Sequence, residues 1–85
     1  MPDLIRKSVF VKARDVSIEV EYRLNFGGER SCGYIKVIKG KPKEDEEQYE
    51  LYMELLECGL SITDLDRAVD TVRREIEEGK LDVEF

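Results

Sequence analysis

A chain of 85 residues, 41% hydrophobic and 40% charged with a net charge of −6, has room for one small domain, and its recurrent apolar positions argue that it folds. Histidine is absent, which excludes Ser-His-Asp and Cys-His nucleophile activation, imidazole acid–base catalysis and every histidine-containing zinc site. No apolar run approaches the span of a bilayer, and Arg6, Lys7 and Lys12 interrupt the first apolar stretch, so the expectation is a cytoplasmic protein without a membrane partner.

Charge is polarised along the chain. Residues 1–43 carry ten Lys or Arg against five Asp or Glu, and residues 44–85 carry four against fifteen. The apolar period changes from two to about 3.6 near the same boundary, so a basic stretch of strands is expected to meet an acidic pair of helices.

Val16, Ile18, Val20, Tyr22, Leu24 and Phe26 alternate with Ser17, Glu19, Glu21, Arg23 and Asn25, the pattern of a half-buried antiparallel strand. A two-residue turn at Arg14-Asp15 would set Val11 opposite Ile18, Val9 opposite Val20 and Ile5 opposite Leu24, with Lys7 alone spoiling the apolar face. A second turn at Gly27-Gly28, where glycine suits positive φ, would set Ile35 opposite Val20, Val37 opposite Ile18 and Lys36 opposite Glu19. Three antiparallel strands are therefore expected near residues 4–13, 16–26 and 31–39.

Residues 40–43 read as a hinge. The acids Glu44, Asp45, Glu46 and Glu47 then favour a helix N-terminus, with Asp45 as cap and Gln48 three residues on. On a helical projection, Tyr49, Leu51, Tyr52, Met53, Leu55, Leu56 and Cys58 fill an arc of about 220 degrees, and Glu47, Glu50, Glu54 and Glu57 fill the rest. Such a helix would need cover on two sides, and Gly59 would stop it.

Ser61 with Asp64 reads as the capping box of a second helix, with Leu60 placed to staple onto Leu65. Ile62, Leu65, Val69, Val72 and Ile76 give it one apolar stripe, with Ala68 beside them. Asp70 with Arg74, Arg73 with Glu77 and Arg74 with Glu78 are spaced for ion pairs on its wet side, and Gly79 ends it. Leu81 to Phe85 alternates again and either adds a short C-terminal strand at a sheet edge or frays. The expected fold is a single α+β domain over residues 1–85, a two-layer sandwich of a three-stranded antiparallel meander followed by an αα-hairpin.

Candidate sites weigh against plain structural readings. Gly28 and Gly33 have phosphate-loop separation, but Tyr34-Ile35 follows in a strand where Lys and Ser/Thr would open a helix, so a hairpin turn explains the glycines. The acidic run 44–47 lacks the spacing of a calcium loop. Residues 55–65 have the look of a helix-turn-helix phrase, but the net charge of this half repels phosphate, and a capped αα-hairpin is the better account. Cys32 and Cys58 form no CxxC pair and are expected to stay reduced and partly buried, a bridge between them being the alternative. No cofactor or metal is expected.

On the expected register the outer sheet face shows Leu4, Phe10, Cys32, Tyr34 and Ile38 among Arg6, Lys12, Arg23 and Lys36, with nothing left over to cover it. The reading is of a small non-enzymatic protein–protein interaction or regulatory module, homodimeric through that face. Phe10, Tyr34 and Ile38 serve as apolar anchors, and Glu47, Glu50, Glu54 and Glu57 form an acidic helical surface for a basic protein partner. The alternative is a single-stranded nucleic-acid-binding protein using Arg6, Lys12, Arg23, Lys36, Lys39, Lys41 and Lys43 with the same aromatics.

Overall fold

In a computed structural model the described residues are 3–24, 32–42 and 47–81. They form strands β1 (Asp3–Val11), β2 (Val16–Leu24), β3 (Gly33–Lys39) and β4 (Glu50–Leu55) and one helix, α1 (Ile62–Glu78). The strands make one sheet in the order β1-β2-β3-β4, every neighbouring pair antiparallel. The α1 helix packs on one face, against β1 and β2. Among the described residues no helix is long and apolar enough to cross a membrane.

The core follows from the alternation of β2. Val16, Ile18, Val20 and Tyr22 point inward with Val11, Ile35 and Val37, and Leu65, Val69, Val72 and Ile76 of α1 close over them. Each such side chain contributes on the order of 1.5–3 kcal/mol by leaving water. Lys7, the polar intruder on this face, bends to the helix and pairs with Asp66.

The β2–β3 register is the expected one, with Ile18 opposite Val37, Glu19 opposite Lys36 and Val20 opposite Ile35. The Gly27-Gly28 turn lies outside the described residues. The β1–β2 register is shifted by two from the expected one: Val11 faces Val16 and Val9 faces Ile18. The cause is a four-residue turn, Lys12 to Asp15, with Arg14 N–H on the Val11 carbonyl at 3.2 Å and Asp15 in the left-handed region at φ 53°. A shift of two leaves every side chain on its expected face.

The expected αα-hairpin is wrong. The first of its helices is strand β4, and the described residues form four strands followed by a single helix. Leu, Met and Glu made residues 44–58 good helix material, but the chain has one inner sheet face and α1 occupies it. A helix apolar over 220 degrees would have lacked its second partner. As a strand the segment pairs with β3, and an irregularity opposite Val37 and Ile38 lets Leu51 and Tyr52 both pack against the core while Met53 and Leu55 fall on the outer face. Gly59, at φ 82°, therefore turns the chain from β4 into α1 and ends no helix.

Gly40, Lys41 and Pro42, the described part of the expected hinge, begin the β3–β4 connection, and Lys41 lies over the Phe10 ring on the outer face. Ser17, fully buried, donates its hydroxyl to the Gly40 carbonyl at 2.6 Å, and Gly40 N–H donates to Asp15 O at 2.8 Å. Lys39 N–H closes the connection on Tyr49 O at 2.8 Å, and the Gln48 amide bonds the Lys41 carbonyl. The expected cap at Asp45 and the expected strand over 82–85 lie outside the described residues.

The second helix forms as its sequence dictates. Ser61 accepts from Asp64 N–H at 3.2 Å, the Asp64 carboxylate accepts from Ser61 N–H at 3.1 Å, and Gly79 closes the helix in the left-handed conformation. Asp70 pairs with Arg74 and Arg73 with Glu77, and Arg73 also bonds Asp70. Cys32 and Cys58 are joined in a disulfide, Cα atoms 4.7 Å apart, so the expectation of two reduced, partly buried thiols is overturned; both residues are exposed. Register explains the bridge, since Leu56 N–H reaches Gly33 O at 2.9 Å and brings the residues just outside both strand ends together.

Candidate functional site on the outer sheet face and the β4 margin

Three rows of side chains cross the outer face. Arg6, Glu21, Tyr34 and Leu55 form one, Ser8, Glu19, Lys36 and Met53 the next, and Phe10, Ser17, Ile38 and Glu50 the third. The third row is covered at Phe10, Ser17 and Ile38, and Glu50 alone of it is exposed. Ile38 is only 5% exposed, and the Lys41 ammonium sits 5.8 Å from the centre of the half-buried Phe10 ring. Ile38 therefore cannot act as an exposed anchor in this conformation, and the outer face is not bare as the sequence suggested.

The middle of the face is internally neutralised. Arg6 lies 3.5 Å from Glu21 and Lys36 lies 3.4 Å from Glu19. The Tyr34 hydroxyl donates to Glu21 at 3.4 Å, and Lys36 stands over the Tyr34 ring at 5.8 Å. Of the other cations, Arg23 is exposed on the outer face near one end, Lys12 lies in the β1–β2 turn, and Lys39 falls on the inner side of β3 by alternation. Lys43 is outside the described residues. Of the described basic positions, Arg6, Arg23 and Lys36 share the outer face, while Lys12 and Lys39 do not.

The acidic positions are also dispersed. Glu47 lies in the connection, Glu50 on the outer face opposite Ile38, Glu54 on the inner face opposite Ile35, and Glu57 just past β4. All four are exposed, and no helix presents them together. Glu54 accepts from the Tyr52 hydroxyl at 2.8 Å. Desolvation, then that hydrogen bond, then the charges of Glu54 and Glu75 hold the Tyr52 phenol above its ordinary pKa.

The apolar margin along β4 is not among the sites expected from the sequence. Tyr49, Met53 and Leu55 are 55%, 50% and 74% exposed, three of the five exposed large hydrophobic residues among those described. Met53 and Leu55 are two residues apart, but the irregularity beside them puts Leu51 on the other face, and the surrounding helix formers left no longer alternation to read. Beside this margin, on the inner side, a groove of roughly 340 Å³ runs between β4 and α1. Ile35, Leu55, Leu56, Leu60, Ala68 and Val72 are its apolar lining, and Glu54, Glu57, Asp64 and Glu75 its acidic one, with no Lys or Arg among the residues that line it. No protein-family model, curated protein or solved structure matches the chain.

Proposed function

We propose that the chain is a non-enzymatic protein-binding module whose contact surface is the β4 margin, with Met53 and Leu55, beside Tyr34 of the neighbouring strand, as the apolar element and Glu50, Glu54 and Glu57 as the electrostatic one. The observation that carries this reading is the concentration of exposed apolar side chains on one edge strand, Met53 and Leu55 above all. Apolar groups clustered at a surface mark an interface more often than a solvated face. The two outer-face ion pairs count against the single-stranded nucleic-acid alternative, because Arg6 and Lys36 already have carboxylate partners and phosphate would have to displace them.

Self-association through Phe10, Tyr34 and Ile38 loses its basis once Ile38 is covered. Pairing of β4 with β4 of a second copy would set Glu50 and Glu54 against the same two, with Glu47 and Glu57 just beyond the strand ends, a repulsive arrangement. A different protein is the better partner.

Selection of a displayed random-peptide library on the immobilised protein tests the reading. Enrichment on the native chain that is lost in the double variant Met53→Asp, Leu55→Asp is the expected result, provided the variant keeps its native circular dichroism. No enrichment, together with saturable binding of labelled single-stranded RNA that weakens steeply with salt, would overturn it in favour of nucleic acid.

A further inference from the structure

The far side of β4 carries open backbone. Leu56 N–H donates to Gly33 O, and the alternation of an antiparallel ladder then places the hydrogen-bonded pairs at Leu56 with Gly33, Glu54 with Ile35 and Tyr52 with Val37. Met53 and Leu55 stand at the intervening positions, opposite Lys36 and Tyr34. Their N–H and C=O groups point away from β3, toward a side on which no further strand stands among the described residues.

Native sheets guard such edges with charge or cover. The opposite edge does so: β1 carries Arg6 and Lys7 at its centre, and Lys7 is tied to Asp66 of α1. The β4 edge carries Glu50 and Glu54, yet it presents Met53 and Leu55 at the very residues whose backbone is open.

We propose that β4 accepts an extended, basic segment of a protein partner as a fifth strand of the sheet. This rests on the protein-binding reading above and specifies its mode. Backbone pairing supplies the affinity in strand addition, and alternate side-chain positions supply the choice of partner. Those positions are well defined here. On one face the added strand lies beside Met53 and Leu55, and on the other it lies over the groove against α1.

Charge selects the occupant. Residues 47–57 contain four glutamates and no Lys or Arg, and the groove adds Asp64 and Glu75. A Lys or Arg side chain reaching into it would lay its methylenes on Leu56, Leu60 and Val72 and keep its cationic head at the carboxylates. An acidic segment, or the β4 strand of a second copy, would be repelled.

The probe is a short acetylated and amidated peptide alternating lysine and valine, added to the full chain with its disulfide intact. Amide exchange at Met53 and Leu55 should slow by at least about tenfold at saturation, with Tyr52 and Glu54 unaffected. The same peptide with glutamate for lysine should not bind, and neither should one N-methylated along the edge that faces β4. In the variant Met53→Pro, which removes an outward N–H and leaves the β3 ladder intact, binding should be lost.

The N-methylated peptide separates the outcomes even where that variant fails to fold. Binding of the lysine peptide without slower exchange at Met53 and Leu55, equal binding of the glutamate or N-methylated peptide, or no binding at all would overturn the inference. Library peptides that enrich but leave those two amides fast would overturn strand addition alone. An unenriched library would overturn the protein-binding reading itself.

Discussion

The hydroxyl of Tyr22, a side chain 1% exposed, accepts from Leu60 N–H at 3.0 Å and donates to the Glu57 carbonyl at 3.1 Å. One buried phenol on β2 thus holds both ends of the turn that carries the chain from β4 into α1. Tyr22→Phe leaves a carbonyl and an N–H without this partner and should cost about 1–3 kcal/mol. Urea unfolding checks it: the midpoint should fall with an unchanged slope, and an unmoved midpoint would show that the turn does not depend on this bond.

The Cys32–Cys58 bridge sits beside the same turn and closes a sequence separation of 26 residues. On the chain-entropy account such a loop contributes about 3.5 kcal/mol. Reduction, or the double variant Cys32→Ser, Cys58→Ser, should lower the unfolding midpoint accordingly while the strands persist. Alkylation of the unfolded, unreduced protein should label neither cysteine, and full labelling would contradict the bridge.

The capping box of α1 makes an acid-side prediction. Hydrogen bonds from the Ser61 hydroxyl and then from its backbone N–H hold Asp64 below its ordinary 3.8. The bond from Arg73 does the same for Asp70, and the bond from Lys80 for Glu78. A carboxyl lowered in the folded state stabilises it fully above the unfolded value and loses that contribution as pH falls through the folded value. Thermal unfolding followed from neutral pH down to about 2.5 should therefore show stability fading below about pH 4. Asp64→Asn should flatten part of that decline, and Ser61→Ala should cost about 1 kcal/mol at neutral pH.

Ser17 anchors the start of the β3–β4 connection through its bond to the Gly40 carbonyl. Ser17→Ala should cost about 1–3 kcal/mol, because that carbonyl loses a buried donor. It should also quicken amide exchange at Gly40, whose N–H bonds Asp15 O in the same corner. Unchanged exchange there would contradict the anchoring role.

Much of the strand and helix layout is legible in the sequence because single residues carry it. The period-two run from Val16 sets the faces of β2, and Ser61, Asp64 and Gly79 bound α1. The β1–β2 shift is hidden because a two-residue and a four-residue turn bury the same side chains, and only the left-handed Asp15 distinguishes them. The identity of β4 is hidden more deeply. Its residues prefer helix locally, and what decides against that is the space already taken by α1, which is a fact about the assembled layers. The apolar margin is obscured for the same reason: Met53 and Leu55 read as a buried helix face until pairing with β3 places them outside. The disulfide is hidden because two cysteines without a framework read as reduced in a cytosolic setting. An oxidising location, or the disulfide-rich interior of a hyperthermophile, is compatible with it.

The proposed binding mode depends on residues 50–55 being an edge strand with Met53 and Leu55 open on its far side. Residue-resolved amide exchange on the free protein tests that most directly. Exchange should alternate, with Tyr52, Glu54 and Leu56 slow because they bond to β3, and Met53 and Leu55 fast. Unbroken protection through residues 47–57, the signature of a helix, would contradict it, as would slow exchange at Met53 and Leu55 in the absence of any partner.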